Sequence, residues 1–268
     1  MRAIALGALV GLLFVGPSRG LAEIPDTVFL EELTWTEVRD AIRSGKTTVI
    51  IPTGGTEQNG PHMALGKHNV RVRALSEKIA RALGNALVAP VLAYVPEGKI
   101  NPPTGHMRFP GTITLPEDVF EKTLESAARS FRRHGFRDIV MLGDHGGDQA
   151  GQRAVAARLN REWASTNARV HAVAEYYRAS ETEFPALLRA RGYREGELGR
   201  HAGLADTALM MAVDPRLVRS RLSPGTGLAD GDGVDGDPRR ASADLGRLGV
   251  ELIVSRTAEA IRKSIERR

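Results

Sequence analysis

The 268-residue chain contains no cysteine. No disulfide can staple it, and no cysteine is present to carry a lipid after N-terminal processing. Aromatic residues are scarce, at 5% of the chain. Binding of single-stranded nucleic acid uses a basic stripe with stacking aromatics. The formal charge of +5 comes mostly from arginine scattered along predicted helices, which reads as solvated faces. Nucleic acid is therefore not an expected partner. Long apolar runs are also nearly absent. The one that exists, Ala3 to Val15, is too short to span a bilayer comfortably. Arg2 precedes it, and Pro17, Ser18 and Gly20-Leu21-Ala22 follow. A basic start, an apolar run and a small-x-small site make a signal peptide over residues 1–22, with cleavage after Ala22. The expectation is an exported protein, periplasmic or secreted, with no membrane attachment after cleavage.

The full chain has ordinary globular composition, 42% hydrophobic and 26% charged. Residues 23–268 suffice for a single domain with a proper core, and no repeat or linker divides them. Thr34-Trp35-Thr36-Glu37 opens a helix with a capping-box pattern that ends near Gly45. Short β-branched or apolar runs predict strands at Thr47 to Pro52, Ala86 to Tyr94, Asp138 to Leu142 and Ala168 to Tyr176. Helical periodicity covers Val70 to Leu83, Pro116 to His134, Ala150 to Ser165, Thr207 to Val213 and Ala241 to Arg268. Strands alternating with helices predict an α/β fold with a mostly parallel sheet. Ligands bind such sheets at the carboxyl ends of the strands. The Gly-rich loops after the first and third predicted strands lie there.

Five of the seven histidines fall in predicted loops or at loop-to-helix junctions, beside Gly, Pro, Asp or Glu. His134 suits a helix C-terminus, and His171 falls inside a strand pattern. The first loop offers Glu57, Asn59, His62 and His68. The loop after the third strand offers Asp144, His145 and Asp148, and a later segment offers His201 and Asp206. Carboxylate and imidazole together suit Zn, Mn or Fe. The Asp/Gly run from Asp230 to Asp237 is read as a polar turn. A calcium loop would need Glu at its twelfth position, where Ala241 stands. Tyr94, His106, Phe109, Tyr176 and Tyr177 are candidate pocket walls.

Several segments resemble, in order, the motifs of the creatininase family. They are Gly55-Thr56-Glu57-Gln58-Asn59-Gly60-Pro61-His62, His106 with Phe109-Pro110-Gly111-Thr112, Gly143-Asp144-His145-Gly146-Gly147-Asp148, His201-Ala202-Gly203 with Asp206-Thr207, and Gly236-Asp237-Pro238. The resemblance implies a three-layer α/β sandwich, often a homohexamer, and a metal-dependent hydrolase of small amides, cyclic amides or short peptides. By position, Glu57 and His145 match metal ligands. His201 matches a residue near the substrate, a proton shuttle together with His62. Where the family has a ligand histidine, this chain has Asn59, and where it has a bridging aspartate, this chain has His68. A neutral imidazole has one free lone pair and normally binds one metal. The expected centre is therefore one divalent ion per chain, zinc first and manganese or iron next, held by Glu57, His68, His145 and Asp206. The other function open at this point is a non-catalytic small-molecule binder on the same fold.

Overall fold

In a computed structural model, the chain is described over residues 25–219 and 231–267. The signal-peptide reading falls outside these residues. Four strands form one sheet: β1 (Thr48–Thr53), β2 (Ala86–Val88), β3 (Asp138–Gly143) and β4 (Arg169–Ala172). Their order is β2-β1-β3-β4, and every pairing is parallel. β1 and β3 occupy the centre and are buried along their whole length, which is why they read as unbroken apolar runs.

Helices cover both faces. One face carries α2 (Lys67–Leu83), α8 (Leu204–Val213) and α9 (Ala243–Glu266), packed around Ile50, Leu75, Ile79, Val140 and Ile253. The other carries α1 (Trp35–Arg43), α3 (Glu117–His134) and α4 (Asp148–Glu162), packed around Ile51, Phe120, Leu124, Ile139 and Trp163. The fold is thus the expected three-layer α/β sandwich. The Thr34 and Glu37 capping box is formed at the start of α1. Gly84 and Gly135 end α2 and α3 in the left-handed conformation, at φ 81° and 109°.

Two predicted strands are shorter than their apolar runs. β2 stops at Val88 because Pro90 has no N–H to give the ladder. Beyond it the chain holds to β1 through the Ala89 N–H on the Ile50 carbonyl at 2.8 Å and the single bridge from Thr53 to Leu92. β4 stops at Ala172, and the chain turns into α5 (Glu175–Arg178). A π-helical turn, Ala179–Glu183, carries α5 into α6 (Phe184–Ala190). The short helix α7 (Glu195–Leu198) then precedes the His201 segment. α2 begins at Lys67, ahead of the expected Val70. That extra turn places Lys67 and His68 on buried helical positions beside the buried Arg71.

Candidate metal centre

The loops following β1, β2 and β3 meet beyond the carboxyl ends of those strands, around a cavity of about 200 Å³. Glu57 comes from the first loop, Glu97 and His106 from the second, and His145 from the third. One donor atom from each of these four residues lies within 4.8 Å of all the others. His106 Nε2 is 3.0 Å from Glu57 Oε2. His145 Nε2 is 3.2 Å from Glu97 Oε2 and 3.5 Å from Glu57 Oε2. These approaches are not aligned hydrogen bonds. Glu57 Oε2 and both oxygens of Glu97 are buried with no hydrogen-bond partner. Gly55, at φ 137°, makes this convergence feasible, because a Cβ there would sit 2.7 Å from Glu97 Oε1.

Two buried carboxylates side by side cannot both stay ionised without a cation. Burial and the neighbouring Glu57 push Glu97 up to about 10. Burial works in the same direction on Glu57, but His68 and its other cationic neighbours overcome it and hold Glu57 well below the usual range. A doubly charged ion resolves the conflict and fills the unsatisfied oxygens at once. Two imidazole nitrogens and two carboxylates form a donor set suited to zinc, manganese or iron.

Behind this group lies a second set of charges in which each acid has its cation. His68 uses both ring nitrogens, Nε2 on Glu57 Oε1 at 2.7 Å and Nδ1 on Asp144 Oδ1 at 2.5 Å. Arg71 donates from Nε to Asp144 Oδ1 at 2.8 Å and from Nη1 to Asp206 Oδ1 at 2.6 Å. Lys67 Nζ donates to Asp206 Oδ2 at 2.9 Å, as does the backbone N–H of Ala202. Tyr176 donates its hydroxyl to Asp144 Oδ2 at 2.5 Å, so it is buried support rather than pocket wall. Burial would raise Asp144 and Asp206, but Arg71, joined by His68 for one and Lys67 for the other, keeps both below the ordinary carboxylate range.

The four residues expected to share one ion therefore divide. Glu57 and His145 meet as expected. His68 and Asp206 stand outside the donor group, the first because neither ring nitrogen is left over, the second because Lys67 and Arg71 already claim its oxygens. Their places are taken by His106 and Glu97. His106 was expected only as a wall residue. Glu97 carried no motif, and its one signal was an acid between Pro96 and Gly98 at the head of the long loop that also bears His106.

His62 does not line this cavity. Its Nε2 lies 2.9 Å from Thr207 Oγ1, and the ring is buried at the root of α8. His201 does line it. Its Nε2–H donates to the carbonyl of Gln58 at 2.9 Å, leaving Nδ1 3.8 Å from Glu57 Oε1. Burial and the Lys67 charge lower His201 to about 4, so the ring is neutral near pH 7 with its free lone pair toward the cavity. The His201 backbone pairs with Asp235 in both directions, at 3.2 and 2.8 Å. The described part of the Asp/Gly run thus acts as a clamp on the His201 segment. Asn59 closes its own loop, donating to the carbonyls of Glu57 and Ala64 at 2.9 and 3.2 Å.

His145 has its own support. Its Nδ1 lies 3.8 Å from Asp148 Oδ1, a buried oxygen with no hydrogen-bond partner. The Gly147 N–H approaches the same nitrogen at 3.2 Å. Asp148 is fixed from behind, accepting the Thr53 hydroxyl at 2.5 Å, while Gln152 donates to that hydroxyl at 2.8 Å. A carboxylate behind a histidine fixes its tautomer when the far nitrogen binds a metal.

Fold and site together define the class: a three-layer α/β protein with a buried carboxylate–imidazole centre of the kind that holds a divalent cation. The chain belongs to the creatininase family, whose model, described as creatinine amidohydrolase, matches residues 31–261. It is 29% identical over 257 residues to a creatinine amidohydrolase of Pseudomonas putida, covering 88% of this chain and 97% of that one. It is 28% identical over 221 residues to a mycofactocin precursor peptide peptidase of Mycolicibacterium smegmatis, covering 80% of this chain and 84% of the other. The solved structure of a creatininase mutant of Zn-Zn type superposes with a TM-score of 0.73 at 26% identity, over 90% of this chain and 99% of that one. The chain is accordingly a hydrolase acting on amide C–N bonds.

Proposed function

We propose that the chain is a metal-dependent amidohydrolase that uses one divalent ion, zinc first and manganese or iron next, to cleave a small amide, cyclic amide or short peptide. The observation that carries this reading is the set of unsatisfied buried oxygens on Glu57 and Glu97 facing the Nε2 atoms of His106 and His145. These four residues would hold the ion. A divalent ion there would supply Lewis-acid polarisation of the substrate carbonyl and make water acidic enough to attack near neutral pH. His201, neutral and oriented by the Gln58 carbonyl, accepts the proton that the attacking water gives up and returns it to the leaving nitrogen. The cavity of about 200 Å³ is smaller than sites for drug-sized ligands, which favours a small substrate.

A single ion is favoured over two because His68, which stands where the family has a bridging aspartate, spends both ring nitrogens on the Glu57 and Asp144 carboxylates. In the same reading the mature protein is exported after cleavage at Ala22 and assembles as a homo-oligomer, a hexamer by family likeness. Two measurements test the activity. Elemental analysis of purified protein is expected to find about one tightly held ion per chain. A panel of formamides, lactams and dipeptides is expected to give ion-dependent hydrolysis of at least one member. Two tight ions per chain overturn the single-ion reading, and no ion-dependent turnover across the panel overturns the hydrolytic one.

A further inference from the structure

Charge in the cavity wall is balanced with one exception. Asp144 is matched by Arg71 and His68, and Asp206 by Lys67 and Arg71. Arg200 at the rim is matched by Asp235 at 2.8 Å. Glu57 and Glu97 face the two imidazoles. The remaining acid is Glu181, which lines the cavity and has no cationic partner among the described residues. Among the described residues its hydrogen-bond partner is the Ser180 hydroxyl, 3.3 Å from Oε1. That hydroxyl has a single proton, and the Tyr177 carbonyl, at 3.0 Å, is the closer acceptor.

Glu181 reaches the cavity because of its backbone. It sits within the π-helical turn Ala179–Glu183, an irregularity that aims side chains away from the regular helical stripe. Two positions on, Glu183 faces outward and is matched by Arg178 and Arg256 at 3.3 and 2.9 Å. The same short turn thus carries one acid in surface ion pairs and one acid held unpaired in the wall. Tyr177 lines the cavity beside it, and its hydroxyl leaves room only for Gly146 opposite, where a Cβ would sit 2.8 Å away. Burial and the Asp206 charge raise Glu181 to about 7, the cost of an acid kept without a partner.

We infer that Glu181 is a specificity-determining residue: it receives a cationic nitrogen, an ammonium or guanidinium, at the end of an amide substrate away from the carbonyl under attack. The inference rests on the amidohydrolase reading above and narrows its substrate class to small amides with a positively charged tail. The charge-assisted hydrogen bond is made in the ground state and the transition state alike, so it acts on KM.

The test uses zinc-loaded protein and paired amides of equal length, one ending in an ammonium and one in a hydroxyl. The expected preference for the ammonium member is about 10- to 100-fold in kcat/KM, carried by KM. Glu181→Gln is expected to remove most of that preference. Equal kcat/KM for the pair in the wild type, or a preference that survives in Glu181→Gln, overturns the inference. So does a loss in kcat of equal size for both members, which would make Glu181 a proton donor. Calorimetric titration with butylammonium and butanol reads the contact without turnover. If no amide is hydrolysed, the functional reading fails on its own. Butylammonium binding about tenfold or more tighter than butanol, lost in Glu181→Gln, still supports the contact. Equal weak binding of both overturns it.

Discussion

The cavity holds two charge clusters made from the same residue types and built to opposite rules. In the inner cluster, Glu57, Glu97, His106 and His145 face one another with carboxylate oxygens left unsatisfied. In the outer cluster, His68, Arg71, Lys67, Asp144 and Asp206 are joined by hydrogen bonds of 2.5–2.9 Å. A buried carboxylate with its cation beside it holds the fold, and one without it is a demand for a ligand. The outer cluster fixes the shape of the inner one through a single side chain, because His68 reaches Glu57 and Asp144 together.

Substitutions in the two clusters should therefore fail in opposite ways. The largest effect is expected at Glu97. Glu97→Gln should lose the ion and lower ion-dependent amide hydrolysis by about 10³-fold or more, while thermal unfolding of the metal-free protein shows no loss of stability. Arg71→Ala should do the reverse. Leaving Asp144 and Asp206 buried with one cation fewer should cost about 3–5 kcal/mol in denaturant unfolding. If Glu97→Gln unfolds the protein or Arg71→Ala leaves stability untouched, the contrast between the clusters collapses.

A smaller effect is expected at the join between a ligand and its support. Asp148→Ala should weaken zinc affinity by about 10- to 100-fold in a competition titration. An unchanged affinity would show that Asp148 does not set the His145 ring.

The smallest expected effect is a slope with pH. Glu97 in the metal-free fold keeps its proton up to about 10, while in the unfolded chain it ionises near 4.5. Between those values the unfolded chain binds fewer protons, so stability falls as pH rises. Glu181, raised to about 7, adds the same sign only below that point. His68, whose pKa is raised in the fold, also contributes stability that is lost with rising pH. Melting of the metal-free protein should therefore drop between about pH 7 and 9, and Glu97→Gln should flatten the drop. A melting temperature that rises over this interval would contradict the assignment of Glu97 as the acid left protonated.

The frame of the molecule was legible in the sequence because β1 and β3 are buried on both faces and read as unbroken apolar runs. Helix ends were legible where glycine or a capping box marks them, as at Gly84, Gly135 and Thr34. β2 and β4 were overdrawn, since apolar residues continue past the point where Pro90 and the turn into α5 leave the ladder. In the site, Glu57, His145 and His201 were placed by motif. His68 and Asp206 fall outside the donor group for a physical reason: residue type says that a side chain can bind a metal, whereas its ion-pair partners decide whether it is free to. Lys67, which joins Arg71 on Asp206, lies outside the predicted helix and enters it only because α2 starts at Lys67. Glu97 comes from a loop whose path no local pattern specifies, and Gly55 lets it approach Glu57 only in three dimensions.

The central claim is that the inner cluster, and not the outer one, receives the ion. Anomalous diffraction from crystals of the zinc-loaded protein tests it directly. The expected result is one peak per chain, bonded by Glu57, Glu97, His106 and His145 at about 2.0–2.2 Å. A peak bonded by His68 or Asp206, or a second peak of equal strength beside the first, would contradict it.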